Sequence, residues 1–337
     1  MEQIEEIDDK QTVRGYKSVC AKLGLSMCIY FICRFLMGYA EPVLSRLYGR
    51  LPLDFAIVLH HIVIILTVYV IPLFFTVRIF KYRTPLRTLY KKPRRIAPAL
   101  GTLPAVIGLG HGIALLTLLA SFILSKTLGG DTYIEDLLRP TTIEATSNIT
   151  QLVMMVILMI VVAPIFEEYW VRGIMFDALK PYGTGMAIII SALLFGIMHG
   201  SLYMFFYTTA YGLALGYIRY ATGSLFIATI LHACVNSIGA IALLLLSLVE
   251  MTLEQNKVIN TVNMIYLIAA FLMIIIGVIV FLTKIPKIKK YRFENTWTQI
   301  GPLKKFGIFI ASIPVIIMMI LAVIEIAGYI LINRLIG

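Results

Sequence analysis

The sequence predicts an all-α fold, a polytopic membrane bundle of eight to nine transmembrane helices. Two observations support this prediction. Of the 337 residues, 60% are hydrophobic and only 14% are charged, and the mean hydropathy of +0.91 lies far above that of a soluble domain. The apolar residues also form long runs, and about 20 such residues suffice for a helix to cross roughly 30 Å of hydrocarbon.

Nine apolar runs account for most of the chain. The predicted spans cover residues 20–39, 54–77, 96–124, 150–178, 185–201, 202–220, 224–249, 260–283 and 307–333. Because two spans must share residues 185–220, eight crossings remain the alternative. We divide the chain into an N-terminal region with about three transmembrane helices (1–149), a central core (150–249) and C-terminal transmembrane helices with a basic loop (250–337).

The net charge of +11 comes mainly from two basic clusters between apolar runs. One runs from Arg78 to Arg95 and the other from Lys284 to Lys305. Positive-inside sorting explains this pattern better than nucleic-acid binding, and anionic lipid is the expected partner of both clusters. With the N-terminus inside, nine crossings bring both clusters to the cytoplasmic side of the cell membrane.

The segment IFEEYWVRG, residues 165–173, places three ionisable groups in an apolar run. A charged residue at a helix centre costs about 2.5 to 3.5 kcal/mol on insertion scales, so these groups must face protein or water. Glu168 and Arg172 are one helical turn apart in the favourable order and are expected to pair. Glu167 is then left without a local partner, and an unpaired buried carboxylate is a candidate base.

Two later runs carry polar groups at a similar expected depth. His199 ends FGIMHG, while His232 and Asn236 share one helix face at positions i and i+4. Counting from the predicted cytoplasmic turns at 1.5 Å per residue puts Glu167 and His199 roughly 20 to 24 Å deep. The same count puts the other two roughly 14 to 20 Å deep. The four groups are therefore expected to meet in one pocket.

Each of these residues also has an ordinary structural interpretation. A buried histidine usually satisfies a backbone carbonyl, and this is the interpretation we give to His60, His61 and His111. For Asn236 considered alone, a hydrogen bond between helices is the default.

The three motifs together resemble those of the CPBP (CAAX protease and bacteriocin-processing) intramembrane endopeptidases, also called the Abi family. The resemblance covers about residues 150–240. It rests on three ordered motifs, Glu167-Glu168-x-x-x-Arg172, Phe195-x-x-x-His199 and His232-x-x-x-Asn236.

The resemblance implies a helical bundle with an intramembrane cavity open to the cytosol. It also implies that Glu167 is the general base for a water, with His199 holding or sharing the proton. The oxyanion would be stabilised by His232 and Asn236, and the Glu168–Arg172 pair would support the site. The implied substrate is a membrane-associated peptide or a protein C-terminal tail, such as a CAAX sequence.

We expect no cofactor, because the resemblance favours a metal-free glutamate mechanism. Zinc remains the alternative, since Glu167, His199 and His232 include the residue types that hold a catalytic zinc together with a water. The sequence contains no HExxH motif, no GxGD aspartate pair and no GxSxG-like loop. Other classes of intramembrane protease are therefore disfavoured.

Two other function classes stay open at this point. Intramembrane glutamate and histidine also build the proton relays of proton-coupled transporters, although the sequence shows no paired halves. A non-catalytic bacteriocin-immunity protein would keep the motifs without turning over a substrate.

Overall fold

The structure, a computed structural model, describes residues 9–93, 97–127, 145–252, 257–288 and 300–336. These residues form helices and connecting turns, with no strand among them. The helices are α1 (Asp9–Tyr48), α2 (Leu53–Phe80), α3 (Ala97–Thr127), α4 (Ile149–Tyr182), α5 (Thr184–Ile197), α6 (Leu202–Thr222), α7 (Leu225–Thr252), α8 (Lys257–Ile288), α9 (Pro302–Ile310) and α10 (Ile313–Ile336). A single helical turn, Leu86–Leu89, follows α2.

The all-α prediction is confirmed, and each predicted span lies largely within helix in the described residues. Four of the described helices, α1, α2, α4 and α7, are long and apolar enough to cross a membrane. The number is up to five if α9 and α10, bent by 67°, count as one span. A total of eight or nine crossings stays a prediction.

One predicted span is shorter than its apolar run. Residues 185–201 were expected to cross, but α5 has 14 residues, which is about 21 Å of helix against roughly 30 Å of hydrocarbon. It ends early because Gly200, at φ 66°, turns the chain into α6. The Ser201 hydroxyl then accepts a hydrogen bond from the Met204 amide at 3.4 Å and caps α6.

Very short connections join the four helices of the core. Gly183, at φ 126°, is the one residue between α4 and α5, and Gly223, at φ 64°, lies between α6 and α7. These positive φ values favour glycine, which has no Cβ to clash with the backbone. The four helices α4–α7 therefore follow one another with connections of one to four residues.

Helix pairing places the two ends of the chain together. Helix α5 packs along α6, α3 packs along both α6 and α8, and α1 packs along α10. Small residues allow the closest approaches: Gly108 faces Gly277 between α3 and α8, and Gly24 of α1 faces the backbone of Pro314 in α10. Such contacts are typical of membrane helices, where packing replaces the hydrophobic effect as the driving force.

Several sequence predictions lie wholly or partly outside the described residues. They include residues 289–299, which make up half of the second basic cluster, and residues Arg94 and Arg95 of the first. The cytoplasmic placement of the clusters therefore stays a prediction.

The contact between α1 and α10 gives a test with an internal control. A Cβ on Gly24 would overlap backbone atoms of Pro314 and Val315, which cannot move aside as a flexible side chain can. We expect Gly24→Ala to destabilise the protein by about 1 to 3 kcal/mol, measured as a lower unfolding midpoint in detergent. Gly38→Ala in the same helix meets nothing within 4 Å and should stabilise by about 0.5 to 1 kcal/mol. Equal midpoints for the two variants would contradict the packing.

Candidate active site

The position of the two glutamates depends on an irregular stretch of α4. Residues Leu158–Val162 form a π-helical turn, in which the Ala163 amide donates to the Leu158 carbonyl five residues before it. In that register the next donor would be residue 164, but Pro164 has no N–H. The Met159 carbonyl is thus left without a backbone partner, and Asn236 of α7 donates its Nδ2 to it at 2.9 Å.

The two glutamates follow on the short α-helical stretch Ala163–Glu168, which a second π-helical segment, Tyr169–Met175, continues. The expected ion pair is present, because Arg172 Nη1 donates to Glu168 Oε1 at 2.7 Å. Both side chains are fully buried. A buried charge is tolerated when it is paired and hydrogen-bonded, so this pair is what allows two charges inside the bundle.

Arg172 makes further contacts that join three helices. Its Nη2 donates to the Gly212 carbonyl of α6 at 3.3 Å, and its guanidinium lies 4.1 Å above the Phe195 ring of α5. This contact has the geometry of a cation–π interaction. Arg172 therefore holds α4, α5 and α6 around one buried positive charge.

The imidazole of His232 lies between the two glutamates. Its Nδ1 is 3.0 Å from Glu168 Oε1 and its Nε2 is 3.8 Å from Glu167 Oε2. A carboxylate accepts hydrogen bonds, so the proton belongs on Nδ1, and Nε2 faces Glu167. Glu167 is consequently less isolated than the sequence suggested, since the Tyr69 hydroxyl of α2 also donates to its Oε1 at 3.5 Å.

His199 closes the end of α5 with its side chain. Its Nδ1 donates to the Phe195 carbonyl at 2.7 Å, one of the carbonyls that a helix C-terminus leaves without a partner. The Phe195 ring meets the His199 ring edge-on, with centroids 4.9 Å apart. Because Nδ1 is used in this way, Nε2 is the nitrogen left for chemistry.

All four candidate catalytic residues, Glu167, His199, His232 and Asn236, line a single cavity of about 470 Å³. The sequence analysis predicted that these four groups share one pocket, and the structure brings them together. The lining also includes three tyrosines of α6, Tyr203, Tyr207 and Tyr211.

Sequence reasoning missed Tyr69, which lines the same cavity. No short motif marks it, although a tyrosine in the middle of an apolar span is itself a polar signal.

His61 and His111 follow their ordinary interpretation, each with Nδ1 donating to the carbonyl four residues before it. His111 also lines the cavity and lies 3.0 Å from the Tyr211 hydroxyl. His60 differs: its Nδ1 has no hydrogen-bond partner among the described residues and lies 3.7 Å from Glu41.

The residues considered for zinc do not form a metal-binding group in this structure. Within the described part of the chain, no three His, Cys, Asp or Glu side chains are arranged to hold a metal ion. We therefore derive no chemical step through a metal.

Comparison with known proteins agrees with the resemblance seen in the motifs. A family model described as Type II CAAX prenyl endopeptidase Rce1-like matches residues 149–238, which include all three motifs. Neither curated proteins nor solved structures gave a significant match. The family match supports a protease, and with the apolar helices it indicates a multi-pass membrane protein.

The buried ion pair generates a stability prediction. We expect Arg172→Met to destabilise the protein by about 3 to 5 kcal/mol, because it leaves the Glu168 carboxylate buried without its main partner. The double variant Glu168→Gln/Arg172→Met should recover much of this loss. Unfolding by sodium dodecyl sulfate in mixed micelles measures the difference.

The partly exposed pair Asp177–Arg219, 3.3 Å apart, provides the matched control. Because the side chains of Arg219 and Asp177 keep 12% and 27% exposure, Arg219→Met should cost less than Arg172→Met. A loss in Arg172→Met no larger than in Arg219→Met would show that the buried pair does not stabilise the core.

Proposed function

We propose that this protein is an intramembrane endopeptidase that hydrolyses a peptide bond in a membrane-associated peptide or protein C-terminal tail. The observation that carries the proposal is the common cavity of Glu167, His199, His232 and Asn236. An acid, two imidazoles and an amide around one cavity supply the base and the hydrogen-bond donors that amide hydrolysis requires.

The contacts of His232 support its role as an oxyanion donor. Its Nδ1–H donates to Glu168, and its Nε2 lies on the side of the ring where Glu167 lies. The role requires a proton on Nε2 as well when the substrate oxygen becomes negative. A second donor comes from Asn236, whose amide has two N–H groups and uses one on the Met159 carbonyl.

The proposed reaction begins when Glu167 takes a proton from a water. The resulting hydroxide adds to the scissile carbonyl carbon, and the oxygen that becomes negative accepts hydrogen bonds from His232 and Asn236. The C–N bond then breaks, and the leaving amine receives the proton that Glu167 took, with His199 Nε2 able to share it. Tyr69, in reach of Glu167 Oε1, orients the carboxylate. The products are a shortened carboxylate and a free amine.

The location of the site in the cell is part of the proposal. We infer that the protein lies in the cell membrane, with its N-terminus and cavity opening on the cytoplasmic side and both basic clusters against anionic lipid. Asymmetric Lys and Arg in short loops support this orientation. We propose no nucleic-acid partner, and we retain residues 150–249 as the catalytic core.

Removing the base tests the reaction. We expect Glu167→Gln to lower cleavage of a fluorogenic peptide with a prenylated CAAX end by at least about 10²-fold, because the amide cannot accept the proton of water. His199→Ala should show a comparable loss. The matched control is Glu41→Gln, in α1 and outside the cavity lining, which should cleave normally. A parallel unprenylated peptide identifies which tail is accepted.

The cleavage assay and two further assays distinguish the alternative functions. Wild-type cleavage rates in both Glu167→Gln and His199→Ala would refute the proposed mechanism. Proton or ion flux in proteoliposomes without any peptide cleavage would favour a transporter. Full bacteriocin protection by Glu167→Gln would favour a non-catalytic immunity protein.

Metal dependence is tested separately. Since the proposed base and donors are all side chains, we expect purified protein to contain less than stoichiometric zinc and to keep its activity in the presence of 1,10-phenanthroline. Plasma mass spectrometry of the purified protein and the peptide assay measure the two quantities. Stoichiometric zinc together with chelator-sensitive activity that zinc restores would contradict the metal-free mechanism.

A further inference from the structure

An ion pair outside the core reaches the turn that carries His199. Arg34 lies in the middle of α1 and Glu325 in α10, and their Nη2 and Oε1 atoms are 2.6 Å apart. Arg34 also donates its Nη1 to the Met198 carbonyl at 2.7 Å. Two opposite charges within apolar helices are costly unless they are paired or serve a function, so their contact with this turn calls for an explanation.

The Met198 carbonyl is held from two positions on α1. Besides Arg34, the Tyr30 hydroxyl donates to it at 2.9 Å, and Arg34 Nη1 is 3.1 Å from the Tyr30 oxygen. Helix α5 ends at Ile197, so this carbonyl is among those that a helix leaves without an intrahelical partner. Two donors from another helix therefore fix the peptide that directly precedes His199.

The turn itself is shaped to receive the ion pair. Gly200 has a φ of 66°, and a Cβ there would lie 3.0 Å from Glu325 Oε1 and 3.1 Å from Arg34 Nη2. A larger residue would thus push the pair away from the turn. The ion pair, the glycine and the Met198 carbonyl form one packed unit, which we call the His199 clamp (Tyr30, Arg34, Met198, Gly200 and Glu325).

We propose that Arg34 is a positioning residue, set in place by Glu325, that holds His199 in the geometry needed for hydrolysis. This inference rests on the proposed function. His199 is oriented by its bond to the Phe195 carbonyl, and that bond requires the end of α5 to keep its shape. A displacement of about 1 Å of a catalytic group can lower a rate by about 10²-fold. The clamp members on α1 and α10 lie outside the segment that matches the family model, so the site is completed by both ends of the chain.

A double substitution separates positioning from simple structural support. Arg34→Met/Glu325→Met removes both charges of this partly buried pair together, so neither charge is left without its partner. We expect a folded protein with wild-type thermal stability, a kcat lowered about tenfold to hundredfold and an unchanged KM. If the ion pair only stabilised the contact between α1 and α10, this stable variant would keep the wild-type kcat. Glu41→Gln, which removes a charge of α1 that lies beside His60 and outside the cavity lining, is the control and should keep both parameters.

Hydrogen–deuterium exchange of peptides covering residues 196–204 gives a readout that needs no substrate. We expect faster exchange there in Arg34→Met/Glu325→Met and no change in the control. Unchanged exchange would overturn the clamp. Faster exchange with wild-type kcat would overturn the positioning role. If wild-type protein cleaves neither the prenylated nor the unprenylated peptide, the proposed function fails, while the exchange result still decides whether the clamp holds the turn.

Discussion

The buried contact of Glu168 with Arg172 and His232 is the interaction on which the rest of the core depends. A carboxylate with no solvent exposure is stable only among donors, and here one comes from its own helix and one from α7. Arg172 extends the contact to α6 through the Gly212 carbonyl. Three helices, α4, α6 and α7, therefore meet at one charge cluster, and the cavity forms beside it.

Phe195 is the apolar counterpart of that cluster. Its ring lies under the Arg172 guanidinium and meets both His199 and His232 edge-on, while its carbonyl accepts the Nδ1 proton of His199. The same residue thus separates the two imidazoles and orients one of them. In the second motif, Phe is followed four residues later by His. This spacing is one turn of helix, and it lets both the carbonyl and the ring of Phe195 contact His199.

Local spacing was enough to predict much of the site. The i, i+4 relation gave the Glu168–Arg172 pair, and the shared helix face of His232 and Asn236 explains why both reach the cavity. Contacts between distant segments were beyond the sequence: Tyr69 meets a residue 98 positions away, and Arg34 meets Glu325 across nearly the whole chain. The partner of Asn236 was also hidden, because the free Met159 carbonyl follows from a π-helical turn that hydropathy does not reveal. The all-helical fold was predictable, whereas the length of α5 was not, since only the short segment 199–201 interrupts the apolar residues of α5 and α6.

The short connections between α4 and α7 limit how such a chain can change length. A residue added within a helix rotates the residues after it by about 100° and shifts them by 1.5 Å, and connections of one to four residues leave little length to absorb such a change before His199 or His232 leaves the cavity. We therefore expect no insertions or deletions at Gly183, in the 198–201 turn or at the two residues before α7. In related proteins that keep this site, we expect loop lengths to vary only outside residues 149–238. A shortened or extended turn within that segment would indicate that the arrangement of the site is lost.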